Sequence, residues 1–227
     1  MKTAVFVQAR CLGSTRLPAK MIMPLPGGSV IQHCLRASRK IDADVYSILT
    51  TEKDAIYFEY VAKEEGFDIT IGPEDDVLKR FVIAIEKYNV NAVVRITGDK
   101  AFLSAKYTQM ALDLYKEFPV PTDFIYYDGY PLKLVTGGTY SARRMVELDK
   151  MPNISKEWRE HIRPAFIEKY KCHNIPSENS ELVYANNLNL VIDTPEDYEK
   201  ICDIYRTFYR GRPIEIDELA HMLYVLR

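Results

Sequence analysis

The feature that most constrains this chain is a rhythm in residues 1–100, where short apolar runs alternate with stretches of helical periodicity. Val5 to Gln8, Val45 to Thr50 and Ala92 to Ile96 read as buried strands. Helices are expected near residues 29–40, 53–65 and 74–88. The last is the clearest, because Leu78, Phe81, Val82 and Ile85 follow one another at i, i+3, i+4 and i+7. Strand–helix–strand alternation builds right-handed βαβ units, so the expected fold is α/β: a three-layer αβα sandwich around a largely parallel sheet with helices on both faces.

Beyond residue 100 the signals are more mixed. Residues 119–140 are rich in Pro, Tyr and Gly and read as irregular strands and turns. A helix is expected from Ser155 through Trp158 and Ile162, kinked or divided by Pro164. A short strand is expected at Leu190 to Ile192, then a well-marked helix start: Thr194 as N-cap, Pro195 in the first turn and Asp197 closing a capping box. No linker or repeat divides the 227 residues, so a single domain over 1–227 is expected. The less regular segment at about 119–175 is placed to bind an acceptor or a second subunit.

Composition excludes several classes. With 30 basic against 32 acidic side chains, nothing indicates a nucleic-acid binder held by bulk charge. Purely apolar stretches such as Phe81 to Ile85 are too short for a membrane span, and the run Ala4 to Val7 is too short for a signal-peptide core. Cys11, Cys34, Cys172 and Cys202 are widely spaced, without a CxxC pair, and read as reduced thiols. A cytoplasmic protein is expected.

Three stretches carry chemistry. The loop after the first strand, Gln8 to Lys20, holds Arg10, Arg16 and Lys20 around Gly13, Ser14 and Thr15. In an open α/β sheet, ligands bind beyond the carboxyl ends of strands, and this loop leaves such an end. Arg offers bidentate phosphate contacts and Lys a compact charge, so the loop suits a triphosphate; the alternative is an ordinary solvated basic loop. It matches neither GxxxxGK[ST] nor GxGxxG, which argues against a P-loop or a dinucleotide-dependent dehydrogenase. The second stretch is Val94 to Asp99, a strand running through Gly98 into a carboxylate, where a Mg²⁺ ligand or a simple turn residue would stand. In the third, Asp193 precedes the capped helix; it is a second metal ligand or a carboxylate favoured by the helix dipole. His161, expected on an apolar helix face, reads as a packed histidine before it reads as a general base. Tyr126, Tyr127 and Tyr130 are candidates for packing, an acceptor pocket or a dimer interface.

Gln8 to Lys20, Gly72 to Arg80 (GPEDDVLKR), Val94 to Asp99, Arg159-Glu160-His161 and Asp193 to Asp197 occur in the order in which they occur in the cytidylyltransferases that make CMP-activated sugars and sugar acids. The chain resembles that family, and within it the branch named for spore-coat polysaccharide biosynthesis. The resemblance implies a Rossmann-like mixed, mostly parallel sheet of the nucleotide-diphosphosugar transferase type, a homodimer, and transfer of CMP from CTP to a small acceptor with release of pyrophosphate. It implies nucleotide contacts from Ala9, Arg10, Gly13, Ser14, Arg16 and Lys20, with Asp76 and Arg80 nearby. Lys20, Arg16 and Asp99 would be catalytic, Asp99 and Asp193 would hold Mg²⁺, and Arg159 and His161 would face the acceptor or the dimer partner.

The sequence also departs from the family pattern. The first loop is one residue longer between Arg10 and Ser14, and Ala19 stands where Gly is usual. Lys100-Ala101-Phe102-Leu103-Ser104 replaces Cys/Asn-Pro-Leu-Ile-Asp, and Val135 to Ser141 carries glycines and hydroxyls where relatives often have carboxylates. These changes keep a second function in view, a nucleotide-binding module without catalysis.

Overall fold

Strand β1 (Thr3–Gln8) is buried along its length, and successive side chains point to opposite faces: Val5 and Val7 enter one core, Ala4 and Phe6 another. The computed structural model describes every residue except 14, 15, 119, 177–179, 187, 226 and 227. After β1 come a 3₁₀ turn (Lys20–Ile22), a small antiparallel pair β2 (Pro24–Leu25) and β3 (Gly28–Ser29), and helix α1 (Val30–Ser38). Strand β4 (Val45–Thr50), helices α2 (Glu52–Ala55) and α3 (Glu59–Glu65), strand β5 (Asp68–Ile71), helix α4 (Val77–Tyr88) and strand β6 (Ala92–Thr97) follow. Helix α5 (Ala105–Glu117), strand β7 (Phe124–Tyr127), helix α6 (Leu132–Val135), strand β8 (Gly138–Ser141), helices α7 (Ala142–Asp149), α8 (Lys156–His161) and α9 (Arg163–Lys169), and strand β9 (Cys172–Ile175) continue the chain. A 3₁₀ segment (Ser180–Ala185) and helices α10 (Pro195–Phe208) and α11 (Ile216–Val225) complete it.

The main sheet has the order β5-β4-β1-β6-β8-β7-β9. Its first four strands are parallel, β8 runs antiparallel to both neighbours, and β9 is parallel to β7. Helices α1, α3 and α5 cover one face, and α4, α7 and α9 the other. Helices α10 and α11 extend the first layer, packing with α5 and β7. This is the mixed, mostly parallel α/β sheet expected. Segment 119–175 contributes three of its strands, and β8 fits against β7 because residue 138 is glycine. A Cβ there would lie 2.6 Å from the Phe124 ring. Among the described residues no helix is long and apolar enough to cross a membrane.

Several expectations need correction. The single helix over 53–65 is two, because the chain turns at 56–58 to bury Phe58 while Ile56 faces solvent. β5, an edge strand of four residues with only Thr70 buried, carries too little pattern to be seen. Leu190 to Ile192 is not a strand; both apolar side chains are buried, but the Ile192 carbonyl accepts from Lys20 Nζ at 2.6 Å instead of joining a ladder. Helix α8 begins at the Ser155 cap as expected, and the break before α9 falls at Ile162 (φ 53°), two residues ahead of Pro164. Helix α8 buries none of its residues, so His161 is exposed and does not lie on an apolar face.

His33 of α1 joins the first half of the chain to the last. Its ring is fully buried, 4.4 Å from Tyr205 and 5.2 Å from Tyr209 of the α10 region. Burial first, and Arg36 second, push its pKa down to about 4. The unfolded chain takes up this proton near the ordinary histidine value of ~6.5 while the folded one resists it, so stability is fully present above that value. It should decline as pH falls toward 4, by roughly 3 kcal/mol in total. Urea midpoints across this window should show the loss in the native protein and a shallower slope in His33→Phe; equal slopes would refute the assignment.

Candidate functional site

Because β1 and β6 are adjacent and parallel, the loops leaving their carboxyl ends rise at the same sheet edge. The first loop folds back so that the Ala19 N–H donates to the Cys11 carbonyl at 3.0 Å. Ala19 itself is left-handed (φ 58°, ψ 16°), a conformation that favours glycine and accounts for the glycine expected there. The turn delivers Lys20, which is 8% exposed, beneath the loop.

Lys20 Nζ lies 2.8 Å from Asp99 Oδ2, 3.1 Å from Asp193 Oδ1 and 2.6 Å from the Ile192 carbonyl oxygen. All three ammonium donors are thereby used. Asp99 follows β6 through Gly98. Asp193 is set by the capping box of α10, in which Thr194 accepts from the Asp197 N–H and the Asp197 carboxylate accepts from the backbone of Asp193 and Thr194. Arg16 closes the group, with Nη2 3.1 Å from Asp193 Oδ2. Burial pulls the Lys20 pKa down, but Asp99 and then Asp193 more than offset it, leaving it above the usual lysine value. For Asp99, burial raises the pKa and Lys20 outweighs it, so the carboxylate stays ionised.

These side chains line a cleft of about 300 Å³. Ala9, Arg10, Gly13, Arg16, Lys20, Arg80, Asp99 and Asp193 all meet there. Arg10 spans its mouth, with Nη1 donating to the Glu74 carbonyl at 3.3 Å and Nη2 3.8 Å from Glu160. Arg80 is only 1% exposed, and among the described residues its Nε and Nη1 have no partner. Burial, then the nearby Arg10 charge, push its pKa down to about 10, so it remains a cation at neutral pH.

Other expected residues stand apart. Asp76 caps α4, accepting from the Lys79 N–H at 2.9 Å, and its second oxygen holds Arg159 at 2.6 Å. Arg159 also binds Asp149 at 3.0 Å and lines an adjoining groove beside Glu74 and Asp75. His161 lines neither space. Ser14 lies outside the described residues. Sequence reasoning missed Gln8, Met21, Val77, Thr97 and Glu160 as lining residues. Gln8 and Thr97 are the last residues of β1 and β6, so their position at the strand ends was the available signal.

Four cations and three carboxylates around one cleft suit a polyanion accompanied by a metal ion. Among the described residues no three His, Cys, Asp or Glu side chains could hold a metal by themselves. Asp99 and Asp193 nonetheless touch a single cationic group, the Lys20 ammonium, so one small ion can reach both. Two hard oxygen donors completed by phosphate and water match Mg²⁺.

Two substitutions test this construction. Lys20→Met leaves two carboxylates without their shared cation and should destabilise the fold by ~2–4 kcal/mol at neutral pH, read from urea denaturation. Ala19→Gly relieves a left-handed alanine and should stabilise by about 0.5–1 kcal/mol in the same measurement.

Comparison with known proteins shows the family and the fold. The family model described as cytidylyltransferase matches residues 4–216. The chain is 28% identical over 224 residues to the spore coat polysaccharide biosynthesis protein SpsF of Bacillus subtilis (strain 168), covering 96% of this chain and 92% of that one. A solved cytidylyltransferase from Leptospira borgpetersenii serovar Hardjo-bovis (strain JB197) is similar with a TM-score of 0.83 and 25% identity, covering 100% of this chain and 95% of that one. A CMP:2-keto-3-deoxy-manno-octonic acid synthetase solved with CTP has the same fold, with a TM-score of 0.68 at 14% identity over 91% of this chain and 99% of that one.

Proposed function

The chain belongs to the cytidylyltransferase family, and on that premise we propose that it moves CMP from CTP to a sugar, sugar acid or related small acceptor, releasing pyrophosphate, in the synthesis of a polysaccharide or glycan precursor. The observation that carries this reading is Arg80. A buried guanidinium with two nitrogens unpartnered among the described residues, beside a cation-rich cleft, is costly unless a ligand supplies acceptors. A nucleoside triphosphate supplies them and matches the charge of Arg10, Arg16 and Lys20.

In the reaction, an acceptor oxygen attacks the α-phosphorus of CTP in line, and the bond to the bridging oxygen of the β-phosphate breaks. Arg16 and Lys20 meet the charge that grows on departing pyrophosphate. Asp99 and Asp193 would hold Mg²⁺, which neutralises phosphate charge when bound. Donors preorganised toward developing charge contribute the largest share of such catalysis, and one of them is worth ~3 kcal/mol.

Lys20→Ala should therefore lower kcat by about 100-fold with a smaller change in KM, measured as pyrophosphate release from CTP and Mg²⁺ with a panel of acceptors. Normal turnover would remove Lys20 from this role, and CTP binding without turnover across the panel would mark a binding module instead. Thermal shifts with CTP, UTP, GTP and ATP should be largest for CTP, following affinity. Equal shifts would overturn the cytosine assignment.

A further inference from the structure

A second cavity, of about 210 Å³, adjoins the nucleotide cleft and shares the wall formed by Thr97. Arg95, Lys100, Lys133 and Arg163 line it, and among the described residues no acidic side chain does. Its remaining wall includes Thr136 and Gly138 as well as the rings of Tyr126 and Tyr127. Lys100, Thr136 and Gly138 lie in two of the stretches where the sequence departs from the family pattern. Those two stretches thus meet in one place, and Lys100 adds a positive charge to it.

The charges are unevenly compensated. Asp128 binds Arg163 at 2.6 Å and Lys133 at 3.2 Å. Arg95 donates to Gln8 Oε1 at 2.9 Å and Lys100 to the Leu134 carbonyl, both neutral acceptors. Among the described residues neither has a carboxylate within ion-pair distance. Two cations without an ion-pair partner among the described residues, facing one small space, match a dianion, whereas a single carboxylate neutralises only one of them.

The lining also lacks a conventional base. A sugar hydroxyl must lose a proton as it attacks phosphorus, and among the described lining residues no carboxylate or imidazole stands to take it. A phosphate monoester needs no such help, since its second ionisation falls near pH ~6 and it is already anionic at neutral pH.

Resting on the CMP-transfer reading above, we propose that this cavity is the acceptor subsite and that the acceptor is a small phosphate monoester, such as a sugar phosphate, whose phosphate oxygen is the nucleophile. A new bond forms between that oxygen and the α-phosphorus of CTP, and the bond from the α-phosphorus to the oxygen bridging to the β-phosphate breaks. Pyrophosphate leaves with the electron pair. The product is a CDP-linked diphosphate diester, and no proton is removed from the acceptor.

The test uses the intact protein with Mg²⁺ and a non-transferable CTP analogue, the α,β-methylene triphosphate, filling the first cleft. Ribose 5-phosphate, ribonate and ribose, three probes on one skeleton, are then titrated calorimetrically, with inorganic phosphate as a fourth. The expected order is ribose 5-phosphate above ribonate above ribose, with inorganic phosphate competing. Lys100→Met should weaken ribose 5-phosphate by at least about tenfold, while analogue affinity stays within a factor of about two. Arg163→Gln, at the rim, provides a second variant, and thermal melting checks that both fold.

Ribonate binding as well as or better than ribose 5-phosphate, or phosphate binding indifferent to Lys100, would overturn the proposal and leave CMP transfer intact. Failure of the analogue itself to bind would overturn the CMP-transfer reading and this one with it. With CTP and the preferred phosphate ester, ³¹P NMR should show the paired resonances of a diphosphate diester. A lone phosphodiester resonance, from attack by a hydroxyl, would also refute the assignment.

Discussion

The ammonium of Lys20 ties together parts of the chain that are distant in sequence. It meets Asp99 at the end of β6, Asp193 before α10 and the carbonyl of Ile192. Because the lysine is buried, its charge is tolerable only if all three donors are satisfied, and the geometry satisfies each. The same constraint runs in reverse, since Lys20 first, then Thr97 and Lys100, keep Asp99 ionised against the cost of burial. The cleft is therefore lined by opposite charges that compensate one another.

The sheet makes this meeting possible. Parallel pairing of β1 with β6 sends both following loops to one edge, and the crowded antiparallel entry of β8 carries the sheet on toward a second cavity. Packing of α10 brings the third participant home: Tyr205 is fully buried and its hydroxyl donates to the Ala101 carbonyl at 2.6 Å, two residues beyond Asp99. A local feature then aims the carboxylate, since the Thr194–Asp197 capping box fixes the backbone on which Asp193 stands. Long-range packing positions the segment, and the cap sets its direction.

Much of this was legible from periodicity. β1, β4, β6 and α4 carry strong apolar patterns because they are buried on one or both faces, and the capping box of α10 is written in consecutive residues. The elements that escaped notice share a physical cause. β5 is a short, mostly exposed edge strand, and the break between α2 and α3 exists to bury one phenylalanine. Leu190 and Ile192 resemble a strand because they are apolar and alternate, yet what they contact is a helical core and a lysine. In the candidate site, the cations of the first loop and the acids after β6 and before α10 were visible as residue types at strand or helix ends. The orphaned guanidinium of Arg80, the diversion of Arg159 onto Asp76 and Asp149, and the basic second cavity were not, because each depends on what burial removes from solvent.

The amino-acid order alone determined the layered α/β architecture, the strand-end location of the chemistry and the family to which the chain belongs, since apolar periodicity, caps and ordered motifs are properties of neighbouring residues. Only the tertiary structure decided which charges meet. Lys20 bridges two acids 79 and 173 positions away, while Arg95 and Lys100 face a cavity with no acidic lining residue among the described residues. Ion pairing and desolvation depend on distance and burial in space, and neither quantity is carried by position along the chain.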